Sequence, residues 1–125
     1  MSKILLAGFG GFIGASARYI ISMVSTKLLP SNFPYGTFIV NIIGCILIGV
    51  IMEMGYKCGN ISDNMKVFLT TGILGGLTTF STFSNETVEL FLKGKAFTSI
   101  LNVLLNVVLC LVGVYIGKMI INKAL

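Results

Sequence analysis

The chain has no histidine and no tryptophan, and only 4 acidic side chains against 9 basic ones. A transition-metal site or a Ser-His-Asp hydrolytic centre therefore has almost nothing to be built from, and the chain is read as no enzyme. Charge of either sign is scarce: 10% of the residues, against about a quarter in an average soluble domain. The basic residues are scattered, with no block of the kind that binds nucleic acid, so they are read as membrane-flanking lysines. Cys45, Cys58 and Cys110 are odd in number and lack CxxC spacing. Two of them sit inside apolar runs, so they read as small packing residues, not as a disulfide or metal framework.

Apolar sequence is what the chain has in abundance: 55% of its 125 residues, in runs long enough to cross a bilayer. The expected fold is an all-α membrane protein, a single four-helix domain over 1–125. The first span is expected at about 4–24. Ala15-Ser16-Ala17 superficially suggests a signal-peptide cleavage site, but the apolar run continues through Tyr19 to Val24 and favours a span. Gly8, Gly10, Gly11 and Gly14 in its first half allow close helix packing in lipid. Arg18 lies in the same helix. It either snorkels to an interface or forms an electropositive vestibule for an anion. Pro30 and Pro34 mark a loop over 26–35. The second span, about 36–54, carries Asn41 in FIVNIIGCILIGVIM, as interhelical glue or as the lining of a polar path. A polar loop over 56–64 follows, with Ser62 or Asp63 as cap of the next helix. The third span is expected at about 64–92 and the fourth at about 96–121. Asn102, Asn106 and Cys110 share one face of the fourth.

Gly72 to Glu89, GILGGLTTFSTFSNETVE, is the stretch around which the rest is organised. Gly72, Gly75 and Gly76 are poor helix formers, and Thr78 and Thr79 can hydrogen-bond backbone locally. The third helix is therefore expected to break over Gly75–Thr79, which frees carbonyl oxygens at membrane depth. The freed groups either serve as hard ligands for Na⁺ or are resealed by neighbouring hydroxyls. Beyond the break, at about 100° per residue, Phe83 falls within about 60° of Phe80. Thr78, Thr82, Asn85 and Glu89 lie opposite, with Ser81 between. The two rings either pack, or offer positive ring edges to a small anion beside amide and hydroxyl donors.

Four spans put both termini on one side. Lys3, Lys57, Lys66, Lys118 and Lys123 lie there; Arg18, Lys27, Lys93 and Lys95 lie opposite. This balance gives no orientation by the positive-inside rule. It is either a weak signal in a short chain or the mark of dual topology, with copies paired antiparallel about a two-fold axis.

Three stretches, GGFIGASARY from Gly10, GTFIVNIIG from Gly36 and GILGGLTTFSTFS from Gly72, resemble the Fluc (CrcB-type) fluoride channels, and the likeness extends over the whole chain. The resemblance implies an antiparallel, dual-topology homodimer in the bacterial plasma (inner) membrane. It implies two pores that pass F⁻ passively, reject Cl⁻ and lower cytoplasmic fluoride by export. A structural Na⁺ would sit at the dimer centre on the backbone carbonyls of Gly75 and Thr78. Asn41, Phe80, Phe83, Ser81 and Thr82 match pore positions and Arg18 a vestibule arginine. Glu86 matches an acidic position near a pore end. The family has pore-facing hydroxyls in the fourth helix, where this chain has Asn106 and Cys110. No organic cofactor is implied.

Two other readings compete. A small four-span cation exporter shares the length and charge balance, but needs a carboxylate in the first helix, where this chain has Arg18 instead. A non-conducting scaffold subunit would use the glycines and amides for packing alone.

Overall fold

A computed structural model describes residues 2–59 and 61–125. Helix α1 is Lys3–Leu28 and α2 is Tyr35–Cys58. The third stretch begins as α3, Asp63–Lys66, passes through a π-helical segment, Val67–Leu74, and ends in the short α4, Gly75–Leu77. Helix α5, Phe80–Leu92, and helix α6, Ala96–Ala124, complete the chain. There is no strand among the described residues. Four stretches are long and apolar enough to cross a membrane: Lys3–Leu28, Tyr35–Cys58, Asp63–Leu92 and Ala96–Ala124. This is a multi-pass membrane protein.

Local chemistry sets the helix ends. Helix α1 continues past Val24 to Leu28, with the Thr26 hydroxyl donating to the Ser22 carbonyl. It stops where Leu29 turns extended (φ −115°, ψ 154°), as a residue before proline must. Helix α2 ends at Gly59, whose φ of 61° few side chains tolerate. Ser62 is the cap of α3, its hydroxyl accepting the Met65 N–H. Asn60, inside the loop expected over 56–64, lies outside the described residues. Tyr56 to Cys58 belong to α2.

Polarity is distributed inside out. The buried apolar side chains are Val40, Leu74, Leu77 and Phe83. The buried polar ones are Ser25, Thr37, Thr79, Ser99, Asn102 and Asn106. Of the largest side chains fully shielded, one is Val40 and the other an amide, Asn102. Outside lie Phe9, Phe12, Tyr19, Leu104, Leu111 and many more large apolar groups. In water such a surface would associate; lipid makes it the expected one.

With no hydrophobic drive between helices in lipid, close backbone contact holds the bundle. Helix α1 meets the π segment and α4 through Gly10, Gly14, Gly72 and Gly76. A methyl at Gly10 would stand 2.6 Å from the Phe68 carbonyl oxygen, and one at Gly76 would stand 2.6 Å from that of Gly11. Helices α2 and α6 meet through Gly49 and Gly117, where a methyl at Gly117 would lie 2.9 Å from the Val50 nitrogen. They run parallel: Asn41 bonds Asn106 and Glu53 bonds Lys118, both pairs 65 residues apart in sequence.

Replacing Gly14 or Gly117 by Val should separate these backbones at the overpacking cost of about 1–3 kcal/mol each. Thermal unfolding of the purified protein in detergent checks this. The same change at Gly8, which has nothing within 4 Å of the added carbon, should leave stability unaltered.

Candidate functional site

The site forms where α4 ends and α5 begins. Thr78 (φ −81°, ψ 158°) and Thr79 (φ −153°, ψ 120°) are both extended between the two helices. Gly75, by contrast, is helical (φ −62°, ψ −36°) and donates to the carbonyls of Gly72 and Thr70. The departure from the helix thus sits at the threonines and not at the glycines. Gly72 and Gly76, though not Gly75, are required by the contact with α1.

In an uninterrupted helix the Gly75 carbonyl would receive the Thr79 N–H, and the Thr78 carbonyl the Thr82 N–H. Here Thr79 N–H donates to Asn41 Oδ1 at 2.9 Å, and Thr82 N–H to Thr79 Oγ1 at 3.2 Å. Both carbonyls therefore lose their helical donors. The Thr78 carbonyl instead accepts from Arg18 Nη1 at 3.3 Å. Arg18 neither snorkels nor meets a carboxylate among the described residues; its charge rests on a backbone carbonyl. Thr79 caps α5, and its hydroxyl also donates to Thr82 Oγ1 at 3.0 Å and lies 3.4 Å from Ser81 Oγ.

Asn41 holds the Thr79 peptide by both ends. Its oxygen accepts the Thr79 N–H while Nδ2 donates to the Thr79 carbonyl at 3.2 Å. The second Nδ2 proton goes to Asn106 Oδ1 at 3.2 Å. Asn41 thus has no free donor in this arrangement. The bonding continues as a chain. Asn106 Nδ2 donates to the Asn102 Oδ1 and backbone carbonyl at 2.9 and 3.1 Å. Asn102 Nδ2 donates to Thr87 Oγ1 at 2.9 Å, and Ser99 Oγ to the Thr87 carbonyl at 2.8 Å. Thr79, Thr87 and Ser99 were not singled out as site residues from the sequence. Thr79 had a readable signal, a threonine followed by hydroxyls two and three residues on. Thr87 and Ser99 had none, because their pairing depends on how α5 lies on α6.

A cavity of about 460 Å³ brings together Asn41, Gly75, Thr78, Phe80, Phe83 and Asn106. Phe83 is 7% exposed and Phe80 79%. Their ring centroids are 5.5 Å apart at 53°, tilted and not stacked. Ser81, Thr82, Arg18 and Glu86 do not line this cavity. Glu86 lines a second, of about 210 Å³, with Ser22, Ser25, Thr26 and Thr37. One of its oxygens accepts from Thr37 Oγ1 at 2.8 Å; the other is buried without a partner. Asn85 and Glu89 form an exposed network with Lys93.

The CrcB-like protein, Camphor Resistance (CrcB) family matches residues 5–118. The chain belongs to the CrcB-like family. A protein of Clostridium perfringens named fluoride-specific ion channel FluC is 54% identical over 121 residues, 94% of each chain. A protein of the same name from Clostridium novyi is 53% identical over 94% of each chain. One from Ruminiclostridium cellulolyticum is 48% identical over 95% of this chain and 92% of its own. These CrcB-like relatives carry the name of a channel, not of an enzyme.

Replacing Asn106 by Ala removes three hydrogen bonds at once. Only the bond from Asn41 is interhelical, worth about 0.6 kcal/mol on average in membranes; with the two buried bonds to Asn102 in the same helix, each worth about 0.5–1 kcal/mol net, the loss should be about 1–2 kcal/mol. Ser99→Ala, which removes one bond, should cost less than half of that by the same thermal assay.

Proposed function

We propose that the chain is a fluoride-selective passive anion channel that lowers cytoplasmic fluoride by export from a bacterial cell. The observation that carries this reading is the convergence of an amide chain, two phenyl rings and freed backbone at one cavity. The relatives' name supplies the ion. Fluoride is small and strongly hydrated, so a path must replace its water with donors at close quarters. Thr82, outside the cavity itself, can supply one where the path continues beyond it, because its oxygen accepts from Thr79 and leaves its own proton free. Ser81 shares a hydroxyl contact with Thr79 and can turn outward. Asn41 and Asn106 donate to an anion by exchanging a bond within the chain that joins them. Phe80 and Phe83 offer ring-edge hydrogens, which suit a small hard anion and give a larger, softer one little.

We read the stretch from Asp63 to Leu92 as one span broken at its middle, held open by Asn41 and Arg18. We also propose that two copies pair antiparallel in the plasma membrane. The balance of basic residues across the bilayer supports dual topology, and the exposed Phe80 on the open wall of the cavity supports a second copy there. The family resemblance points to a structural Na⁺ on the carbonyls of Gly75 and Thr78. The donor set fits: both are hard oxygens without a helical donor, and both line the same cavity. The guanidinium of Arg18 already occupies one side of the Thr78 carbonyl, so the ion would share that oxygen with it. Bound there, Na⁺ would neutralise the Gly75 carbonyl dipole and add to the Arg18 contact on that of Thr78. Arg18 adds fixed positive charge beside the path, and Glu86 with Thr37 forms a polar end to it.

The test is anion efflux from proteoliposomes loaded with equal KF and KCl, started with valinomycin. F⁻ should leave and Cl⁻ should stay. Phe80→Ile and Phe83→Ile should each slow F⁻ efflux by about tenfold or more, a barrier rise of about 1.4 kcal/mol. F⁻ loss no faster than from empty liposomes would defeat the reading. Equal F⁻ and Cl⁻ loss would defeat its selectivity.

A further inference from the structure

We propose that Cys45 and Cys110 form a dithiol site for a soft divalent cation that takes two ligands, of which Hg²⁺ is the type. The register of α2 on α6 places the pair. Asn41 bonds Asn106 one turn before it, and Glu53 bonds Lys118 two turns after it, each across 65 residues. Cys45 and Cys110 have the same separation, and a methyl placed on Gly113, three residues beyond Cys110, would stand 3.6 Å from Cys45 Cβ. The close approach at Gly49 and Gly117 keeps the two backbones from drifting apart over this stretch. Both cysteines are half-buried and free, and both line the large cavity beside Asn106 and Phe83, which gives an ion access.

The chemistry selects the ligand. Thiolates prefer soft cations. With two sulfurs and no third ligating residue, a cation that demands a tetrahedral cage is not satisfied; among the described residues no cluster of three or more His, Cys, Asp or Glu side chains could hold one. A linear dithiolate needs only two. On binding, Hg²⁺ forms two Hg–S bonds, both S–H bonds break, and two protons leave to water. The product carries no net charge, and an uncharged product is what a largely apolar cavity at membrane depth tolerates. An ion bound here occupies the space beside Asn106 and Phe83.

The experiment uses the full chain with Cys58→Ser, reduced and desalted in detergent, titrated with HgCl₂. Bound mercury is read by ultraviolet sulfur-to-mercury absorption and free thiols by maleimide labelling. One equivalent of Hg²⁺ should protect both thiols together. Adding Cys45→Ser or Cys110→Ser should lower affinity about 10²-fold or more, the gain that a second linked ligand confers. Two mercury atoms per chain, one thiol still reactive at one equivalent, or an unchanged affinity in either serine variant would overturn the site. So would mercury that joins two chains, seen as a dimer on a denaturing gel. The protection measurement needs no serine at the pair, so it stands even where a variant folds poorly.

Discussion

Everything at the site depends on how one peptide unit is held at membrane depth. A residue that leaves the helix in lipid exposes an N–H and a C=O, and each costs several kcal/mol if left unpaired. Thr79 is such a residue, and Asn41 meets both of its groups with one amide. This pairing permits α4 and α5 to be separate. It turns the Thr79 hydroxyl to the start of α5, and it releases the carbonyls of Gly75 and Thr78. Arg18 supplies a second contact, to the Thr78 carbonyl.

The remaining polar side chains extend that solution along the bundle. Asn106 binds the second proton of Asn41, Asn102 binds Asn106, and Thr87 binds Asn102. The amides lie on one face of α6 because they recur every four residues, and the parallel register with α2 aims them at Asn41. Where the family resemblance leads one to expect hydroxyls on the fourth helix, this chain has a ladder of amides. An amide both accepts and donates, so the ladder is satisfied within itself. In the channel proposed above, it would pass a bond to an anion only by giving one up.

The number of helices and their approximate positions were legible because apolar runs of this length fit a bilayer and little else in a chain this short. The face shared by Asn102, Asn106 and Cys110 was legible from spacing alone. The exact place of the extended residues was not. Three glycines and two threonines offered competing reasons for a break, and only tertiary contact separates them. Gly72 and Gly76 are needed for the approach of α1, while Thr79 is extended because Asn41 lies across from it. The π-helical segment from Val67 to Leu74 had no sequence signal. The contact of Arg18 with Thr78 spans 60 residues, and Cys45 and Cys110 meet at one cavity from positions equally remote in sequence. The sequence showed two separate cysteines in apolar runs; the register of α2 on α6 makes them neighbours.

The most direct measurement is the hydrogen-exchange rate of the Thr79 amide, by NMR on the isotope-labelled protein in detergent micelles. If Asn41 holds this peptide, Thr79 exchanges slowly although it lies outside any helix, and Asn41→Ala speeds its exchange while leaving α2 protected. Rapid exchange at Thr79 in the unaltered protein, or exchange unchanged by Asn41→Ala, would contradict the account.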